Sequence, residues 1–357
     1  MDVEDIRTRV EHLSVIEGEN FERRTFSDLD LTEGQFARCD FTRSVFSNCV
    51  FKKTTFAKCN LSGAVFQSCV FDETLFMMCV LEYARFAGES LKGVTFMKCP
   101  AAEADLSNCA LDTVAFMCCD LGKAKFAGVN YERGALLESD MPGIDFSGAR
   151  IFRAMMNKAD LRAAGLANAH LEQILICDAD LTGRDLSNRT FKQCTLVDGA
   201  LEGINFSGSD IFQTSLVNCN ARGGCFDGAK GQFAMMAGSD LTGASFKNAS
   251  MPNAVFANAT VEGADFSHTN LPMAVFDHAN CKKTNWDSAT LVHADFSNAD
   301  CTSSNFGNAT FDSTKFHGTK MENASEFGAR GSKVDTDTER LVAQLYSPRK
   351  VMLWGEV

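Results

Sequence analysis

Apolar residues recur at every fifth position of this chain, from Phe21 to Met321, without an insertion or a deletion. A small residue commonly precedes them by two positions, and the other three positions are mostly polar or Gly. The positions on this register that lack a large apolar side chain are Ala101, Ala221, Gly231, Cys281 and Cys301. Neither a helix of period 3.6 nor a strand of period 2 holds a five-residue phase over such a length. The pattern therefore predicts a stacked solenoid.

The repeating unit reads A-(D/N)-(L/F)-x-x, as in residues 179–183 and 294–298. It resembles the repeat of the pentapeptide-repeat family, and the likeness extends from about Glu19 to Ala324. The resemblance implies an all-β solenoid, a right-handed quadrilateral β-helix in which four pentapeptides form one coil. The central and the small residue of each unit would point inward. At a strand spacing of about 4.8 Å, roughly 15 coils would form a rod about 70 Å long.

In coils of 20 residues, inward side chains 20 positions apart would stack on one another and form interior ladders. One such ladder begins with Phe26, Phe46 and Phe66. Ala221 and Gly231 are small residues at two inward positions where the repeat usually has a large apolar side chain. We therefore expect a kink or local loosening in that stretch.

The ends of the chain differ from the repeats and suggest caps, which open-ended solenoids need. Residues 1–18 are expected to form a capping helix, with Ile6, Val10 and Leu13 at helical spacing. Residues 19–325 are expected to form the β-helix. Residues 326–357 are expected to hold a helix, started by a capping box at Thr336 and Glu339, and an apolar tail. The residues expected to cap the last coil or to form a dimer contact are Leu341, Leu345, Tyr346, Leu353 and Trp354.

Fifteen cysteines raise the question of metal or disulfide chemistry. Ten of them occupy the small inward position, for example Cys39, Cys59 and Cys109, so we interpret them as small buried apolar residues. No paired CxxC spacing with His supports zinc. So many reduced thiols favour a cytoplasmic location, and the charged N-terminus has no apolar segment of a cleaved signal. Secretion by an uncleaved signal would leave the same pattern.

The sequence contains no GxxxxGK, HExxH, GxSxG or strand-linked GxGxxG motif of a catalytic site. The six histidines are scattered over different repeat positions. The sequence therefore predicts a non-enzymatic protein without a cofactor or metal.

One outward face is apolar, whereas the other outward faces are polar. The residues before and after the central Phe of this face are apolar over about eight coils, and large apolar patches mark interaction sites. Met suits an adaptable protein-binding surface. The predicted protein-binding residues are Leu75, Met77, Met78, Met97, Met117, Leu137, Met155, Leu175, Val197, Val217 and Met235. The alternatives are that a terminal segment of the chain packs on this face, or that it is a more hydrophobic wall.

These observations predict a protein–protein interaction scaffold with a protein partner, or a second copy of the chain, on the apolar face. The resemblance adds an adaptor, chaperone or effector of a bacterial secretion system as one version. An alternative is a DNA-mimicking inhibitor or protector of type II topoisomerase, since the net charge is −12 and relatives of the quinolone-resistance type are acidic rods. Lys and Arg interrupt the carboxylates here, and no basic patch supports direct nucleic-acid binding. No apolar run is long enough for a membrane span.

Overall fold

Short parallel strands stacked at intervals of 20 residues build the repeat region. The computed structural model describes residues 1–336, 338 and 339. It shows a right-handed quadrilateral β-helix of about 16 turns, preceded by a short helix, α1, at Val3–Glu11. The strands are β1 Ile16–Glu17, β2 Thr25–Ser27, β3 Gln35–Ala37, β4 Val45–Ser47, β5 Thr55–Ala57, β6 Val65–Gln67, β7 Val70–Asp72, β8 Leu75–Met77, β9 Ser90–Lys92, β10 Thr95–Met97, β11 Ala110–Asp112, β12 Ala115–Met117, β13 Asn130–Glu132, β14 Ala135–Leu137, β15 Arg150–Phe152, β16 Met155–Asn157, β17 His170–Glu172, β18 Leu175–Cys177, β19 Thr190–Lys192, β20 Thr195–Val197, β21 Thr314–Lys315 and β22 Lys333–Val334.

The strands form parallel sheets along the walls of the rod. The longest runs β1-β3-β5-β8-β10-β12-β14-β16-β18-β20, and a second runs β19-β17-β15-β13-β11-β9-β7. The others are β2-β4-β6 and β21-β22. Pairing joins residues 20 positions apart, as in Phe96 and Phe116. Isolated bridges continue the same pairing to Thr310 and Arg330. The turn count exceeds the expected 15 because the pairing begins before Phe21, where β1 pairs with β3, and continues past Met321 to Arg330.

The core consists of the fifth-position side chains, as the period predicts. Their rings stack coil on coil: the centroids of Phe76 and Phe96 lie 5.0 Å apart, and those of Phe246 and Phe266 lie 4.4 Å apart. Trp286 continues the second stack at 4.4 Å from Phe266. Parallel offset rings at this spacing add to the free energy gained from burial. The predicted interior ladders are therefore confirmed.

The helix α1 covers the N-terminal coils. Asp2 caps it, and a reciprocal hydrogen bond with Asp5 completes a capping box. Ile6 and Val10 are buried against the core. The prediction for Leu13 was wrong: the helix ends at Glu11, and Leu13 is 57% exposed at a φ of 52°. The chain turns there because it must leave the helix and enter β1.

The repeat ends where the sequence loses its phase. Phe327, one residue off the register, is 86% exposed. The last strand pair joins Thr314 to Lys333, one residue short of the usual interval. Gly331 makes the shorter path feasible, because it has a φ of 98° and a Cβ there would lie 1.3 Å from the carbonyl oxygen of Phe311. The predicted C-terminal residues 341, 345, 346, 353 and 354 lie outside the described residues.

The expected loosening between Ala221 and Gly231 was wrong. The amide of Gly231 donates to the carbonyl of Ser250 at 2.8 Å, and the coil pairing continues through this stretch. Met251 and Ile211 fill the space above and below, since a Cβ at Gly231 would lie 2.6 Å and 3.3 Å from their side chains. Neighbouring coils thus replace the missing bulk.

Bridges are missing between Gly165 and Asp185, as they are between Val80 and Pro100 and between Asp140 and Asp160. Bridges join Asp145 to Gly165 and Asp185 to Asn205, but none joins Gly165 to Asp185. Arg184 and Arg189 occupy the small inward positions of this coil. Their guanidinium groups donate to the backbone carbonyls of Ala164 at 2.6 Å and Leu166 at 2.5 Å. Side chains too long for the slot therefore stand between two coils and occupy carbonyls of the coil beneath.

Candidate protein-binding face

The predicted apolar residues come together on the wall formed by the longest sheet. Met77, Met97 and Met117 are directly paired neighbours on β8, β10 and β12. Leu137 follows Met117 on β14. A second row lies on the other side of the central residues and contains Leu75, Met155 and Leu175. Asn157 and Cys177 continue the first row on β16 and β18. Strand pairing therefore converts a 20-residue sequence interval into two parallel outward rows.

The two rows extend further than the bulky residues. One contains every twentieth residue from Gln35 to Val275, and the other contains every twentieth residue from Ala37 to Ala257. Neither row contains a charged residue; charge returns only at Glu17 on one side and at Asp277 and Asp295 on the other. We call these two rows the charge-free face. Sequence reasoning found its bulky centre and missed its ends, where the signal is small uncharged residues.

The predicted binding residues are accessible to different degrees. Met155 and Met235 are 43% and 46% exposed, whereas the others within the two rows are half-buried by their neighbours along the ladder. Met78 differs in position, because it lies at the turn beside the face with a φ of 53°. The predicted binding residues that belong to the two rows are Leu75, Met77, Met97, Met117, Leu137, Met155, Leu175, Val197, Val217 and Met235.

Other walls of the rod carry polar or charged rows at the equivalent positions. On β7, β9 and β11, Asp72, Lys92 and Asp112 alternate in direct register. Arg133 donates to Asp112 at 2.6 Å. This hydrogen bond, the largest cause, lowers the pKa of the Asp112 carboxyl below its usual range. On the wall of β2, β4 and β6 the row holds Ser47 and Gln67. These two residues are uncharged too, but the second row of the same wall contains Arg85 and Asp105. Only the wall of the longest sheet therefore lacks charge in both of its rows.

Several acidic side chains in the C-terminal half pair with lysines. Asp295 and Lys315 lie 3.2 Å apart, and so do Asp265 and Lys247. Asp295 also accepts the amide of Ser297 at 3.0 Å, which closes the turn of its own repeat. The carboxylates therefore act first as turn-forming groups, as the recurring Asp or Asn of the repeat indicates.

The cysteines pack as the phase predicts. Those in the inward positions are buried, and the thiol of Cys109 contacts the carbonyl of Phe86 at 3.0 Å. Burial raises the pKa of Cys109 to about 12 and that of Cys194 to about 12. Such thiols are protonated and unreactive at neutral pH. Cys118, by contrast, is exposed at the turn beside the charge-free face.

The part of the chain that the structure describes contains neither a metal-binding cluster nor a helix that could span a membrane. No group of three or more His, Cys, Asp or Glu side chains there could hold a metal ion. No helix there has both the length and the apolar character required to cross a bilayer.

A parallel quadrilateral solenoid with a five-residue period defines the class of this protein. Two family models match it: "Pentapeptide repeat region" over residues 19–96, and "Pentapeptide repeats (8 copies)" over residues 234–271, 274–311 and 289–325. The chain belongs to the pentapeptide-repeat family. These are families of structural and interaction proteins, and neither is an enzyme family.

Several solved structures are similar to the chain in fold. HetL, a pentapeptide repeat protein involved in heterocyst differentiation regulation from Nostoc sp. strain PCC 7120, is 16% identical, with coverage of 94% of this chain and 98% of HetL and a TM-score of 0.25. A trypsin-treated QnrB1, a plasmid-mediated fluoroquinolone resistance protein, is 17% identical over 64% of this chain and 95% of its own, with a TM-score of 0.27. A pentapeptide repeat protein from the Arabidopsis thaliana thylakoid lumen is 25% identical, with coverage of 33% of this chain and 69% of that protein and a TM-score of 0.22. The comparison with curated protein sequences found no match.

Proposed function

We propose that this pentapeptide-repeat scaffold is a non-enzymatic adaptor that binds a protein along its charge-free face. The observation that carries the proposal is the in-register ladder of Met77, Met97, Met117 and Leu137 on an outward wall. Monomeric proteins seldom expose an apolar patch larger than a few hundred Å². A partner that covers this ladder removes it from water and gains the free energy of apolar burial.

Rigidity supports the same function. The ladder is fixed by parallel pairing on both sides of each strand, and the central Phe76, Phe96 and Phe116 beneath it are fully packed. A surface that is already ordered loses little conformational entropy on binding. Flexible Met side chains on a rigid backbone adapt locally to the partner.

A photo-crosslinking amino acid at position 97 tests the proposal in cells that express the chain. The matched control carries it at Ser107, which has the same repeat position on another wall and is also half-buried. We expect protein adducts from position 97 that are absent from position 107. Equal adducts, or none from either position, would contradict the proposal.

The topoisomerase-mimic alternative stays a prediction. The net charge of −12 favours it, but the pairing of Lys247, Lys282 and Lys315 with aspartates leaves few uninterrupted rows of carboxylates. Stoichiometric inhibition of gyrase supercoiling would support it, and no inhibition at micromolar protein would end it.

A further inference from the structure

The turns that border the charge-free face carry charges in an ordered sequence. The first rim contains every twentieth residue from Arg38 to Asp198, two positions after each central residue. The second rim contains every twentieth residue from Glu33 to Gln193. On the first rim, positive charge dominates the N-terminal half and negative charge the C-terminal half. Its charged members are Arg38, Lys58, Lys98, Glu138, Lys158, Asp178 and Asp198.

We propose that the charge-free face binds the same face of a second copy of this chain, with the two rods antiparallel and the two-fold axis at the coil of Phe116. This inference rests on the proposed function and names the partner. An isologous interface of this kind brings together coils that lie equally far from the axis on opposite sides. Each first rim then faces the first rim of the other copy, and each second rim faces the other second rim.

In this register every charged pair that meets across the interface is complementary. Lys98 faces Glu138 of the second copy. The other facing pairs are Lys58 with Asp178, Arg38 with Asp198 and, on the second rim, Glu73 with Arg153. Symmetry repeats each pair once. No two like charges face each other between the coils of Ala37 and Val197.

Other registers lose this complementarity. Moving the axis by half a coil places Lys158 opposite Lys98 or Lys58. Moving it by a full coil places Lys98 or Glu138 opposite its own copy. Parallel rods would place Lys58 opposite Lys53, and Lys158 opposite Arg153. Since like charges across an interface disfavour a register, the sequence of rim charges selects one arrangement.

The apolar rows match the same axis. Met117 meets its own copy, Met97 meets Leu137, and Leu75 meets Met155. Met77, Met97, Met117, Leu137 and Met155 thus lie within two coils of the axis, where binding energy concentrates in protein interfaces. Met235 lies outside the interface. Nine coils of about 4.8 Å and a wall five residues wide at about 3.3 Å per residue give about 700 Å² per copy, close to the roughly 800 Å² of a standard interface.

The rim charges are largely available for such contacts. Among the described residues, Lys58, Lys98, Asp178 and Asp198 form no ion pair. Glu138 accepts only a long contact from the Cys118 thiol, at 3.8 Å. Arg38 pairs with Glu17, and Arg153 donates to Gln173 at 2.8 Å. On association, both arginines would exchange these exposed partners for the facing residues of the second copy.

Cys118 provides a direct test of the axis. It is exposed on the first rim at the coil of Phe116, so the two copies of Cys118 would face each other. A short bismaleimide should link wild-type protein into a covalent dimer through this residue. The Cys118→Ser variant should lose the link. Asn218→Cys in that background, at the same repeat position outside the footprint, should not regain it.

A charge exchange tests the facing of the rims. Lys98→Glu should weaken the dimer at least tenfold in sedimentation equilibrium, because two pairs become repulsive. Lys98→Glu with Glu138→Lys should restore it. Lys123→Glu, a charge reversal at the equivalent turn of another wall, should leave it unchanged.

The outcomes separate this inference from the proposed function. A wild-type monomer at about 100 μM, a dimer that does not link at Cys118, or a charge exchange without rescue would each overturn the antiparallel pairing. A monomer that still gives adducts with another protein from position 97 would overturn the pairing and leave the proposed function standing. Absence of every adduct at position 97 would remove the proposed function as well.

Discussion

The ring of Tyr131 occupies the space that a side chain at Gly134 would need. A Cβ at Gly134 would lie 1.8 Å from Cε2 of Tyr131 and 2.6 Å from its hydroxyl oxygen. The hydroxyl of this fully buried residue donates to the carbonyl of Val114 at 2.9 Å. One large inward residue thus requires the smallest residue in the neighbouring inward position.

This relationship predicts a coupled pair of substitutions. Gly134→Ala should destabilise the protein by about 1–3 kcal/mol, because the ring must move in a packed core. Tyr131→Leu together with Gly134→Ala should recover most of the loss, since Leu is common at the central position. Denaturant unfolding of the four proteins of a double-mutant cycle measures the coupling. Additive effects would contradict the account.

Replacement of Arg184 and Arg189, where the pairing between coils is interrupted, is expected to stabilise the protein. Ala is usual at the inward position, and the buried Nε atoms of both arginines have no hydrogen-bond partner. Arg184→Ala with Arg189→Ala should let the coils of Leu166 and Leu186 pair, which raises the melting temperature and slows amide exchange at Leu166 and Asp185. A lower melting temperature would show that the guanidinium groups are necessary for this coil.

The Asp295 carboxylate is expected to make the stability of the fold depend on pH in the acid range. Burial acts to raise the pKa of its carboxyl, but hydrogen bonds from Ser297 and the nearby Lys315 outweigh burial, so its folded pKa lies below the usual value. The carboxylate therefore stabilises the fold above about pH 4, and this contribution is lost as the pH falls through the folded pKa.

Asp295→Asn keeps an oxygen for the Ser297 amide and removes the ionisation. Urea unfolding between about pH 2.5 and 6 should show a weaker rise of stability with pH in this variant than in the wild type. Identical slopes would mean that the carboxylate charge does not contribute.

Outward substitutions on the charge-free face should separate binding from stability. Met97→Glu with Met117→Glu places two charges on paired strands, so it should abolish association while the β-sheet circular dichroism stays unchanged. Ser107→Glu with Ala127→Glu places the same charges on another wall and controls for their mutual repulsion. Retained association in the first variant would count against the face.

The five-residue period was enough to predict the fold, the inward ladders and the buried cysteines, because each depends only on repeat position. Features that depend on contacts between coils were not predictable. The sequence shows bulk missing at Gly231, but not that Met251 and Ile211 fill the gap. It shows Arg184 in a small slot, but not where its guanidinium group lies. Strand pairing likewise made the small uncharged ends of the face, such as Ala37 and Ala257, part of one surface.

Methionine oxidation measures most directly whether the charge-free face is covered. Met97 and Met117 belong to one of its two rows, whereas Met273 is exposed at a turn outside the two rows. Brief hydroxyl-radical labelling in expressing cells, compared with dilute purified protein, should show Met97 and Met117 protected in cells and Met273 unchanged. Equal oxidation of Met97 and Met117 under both conditions would contradict the account, because the face would then be open to water where the protein works.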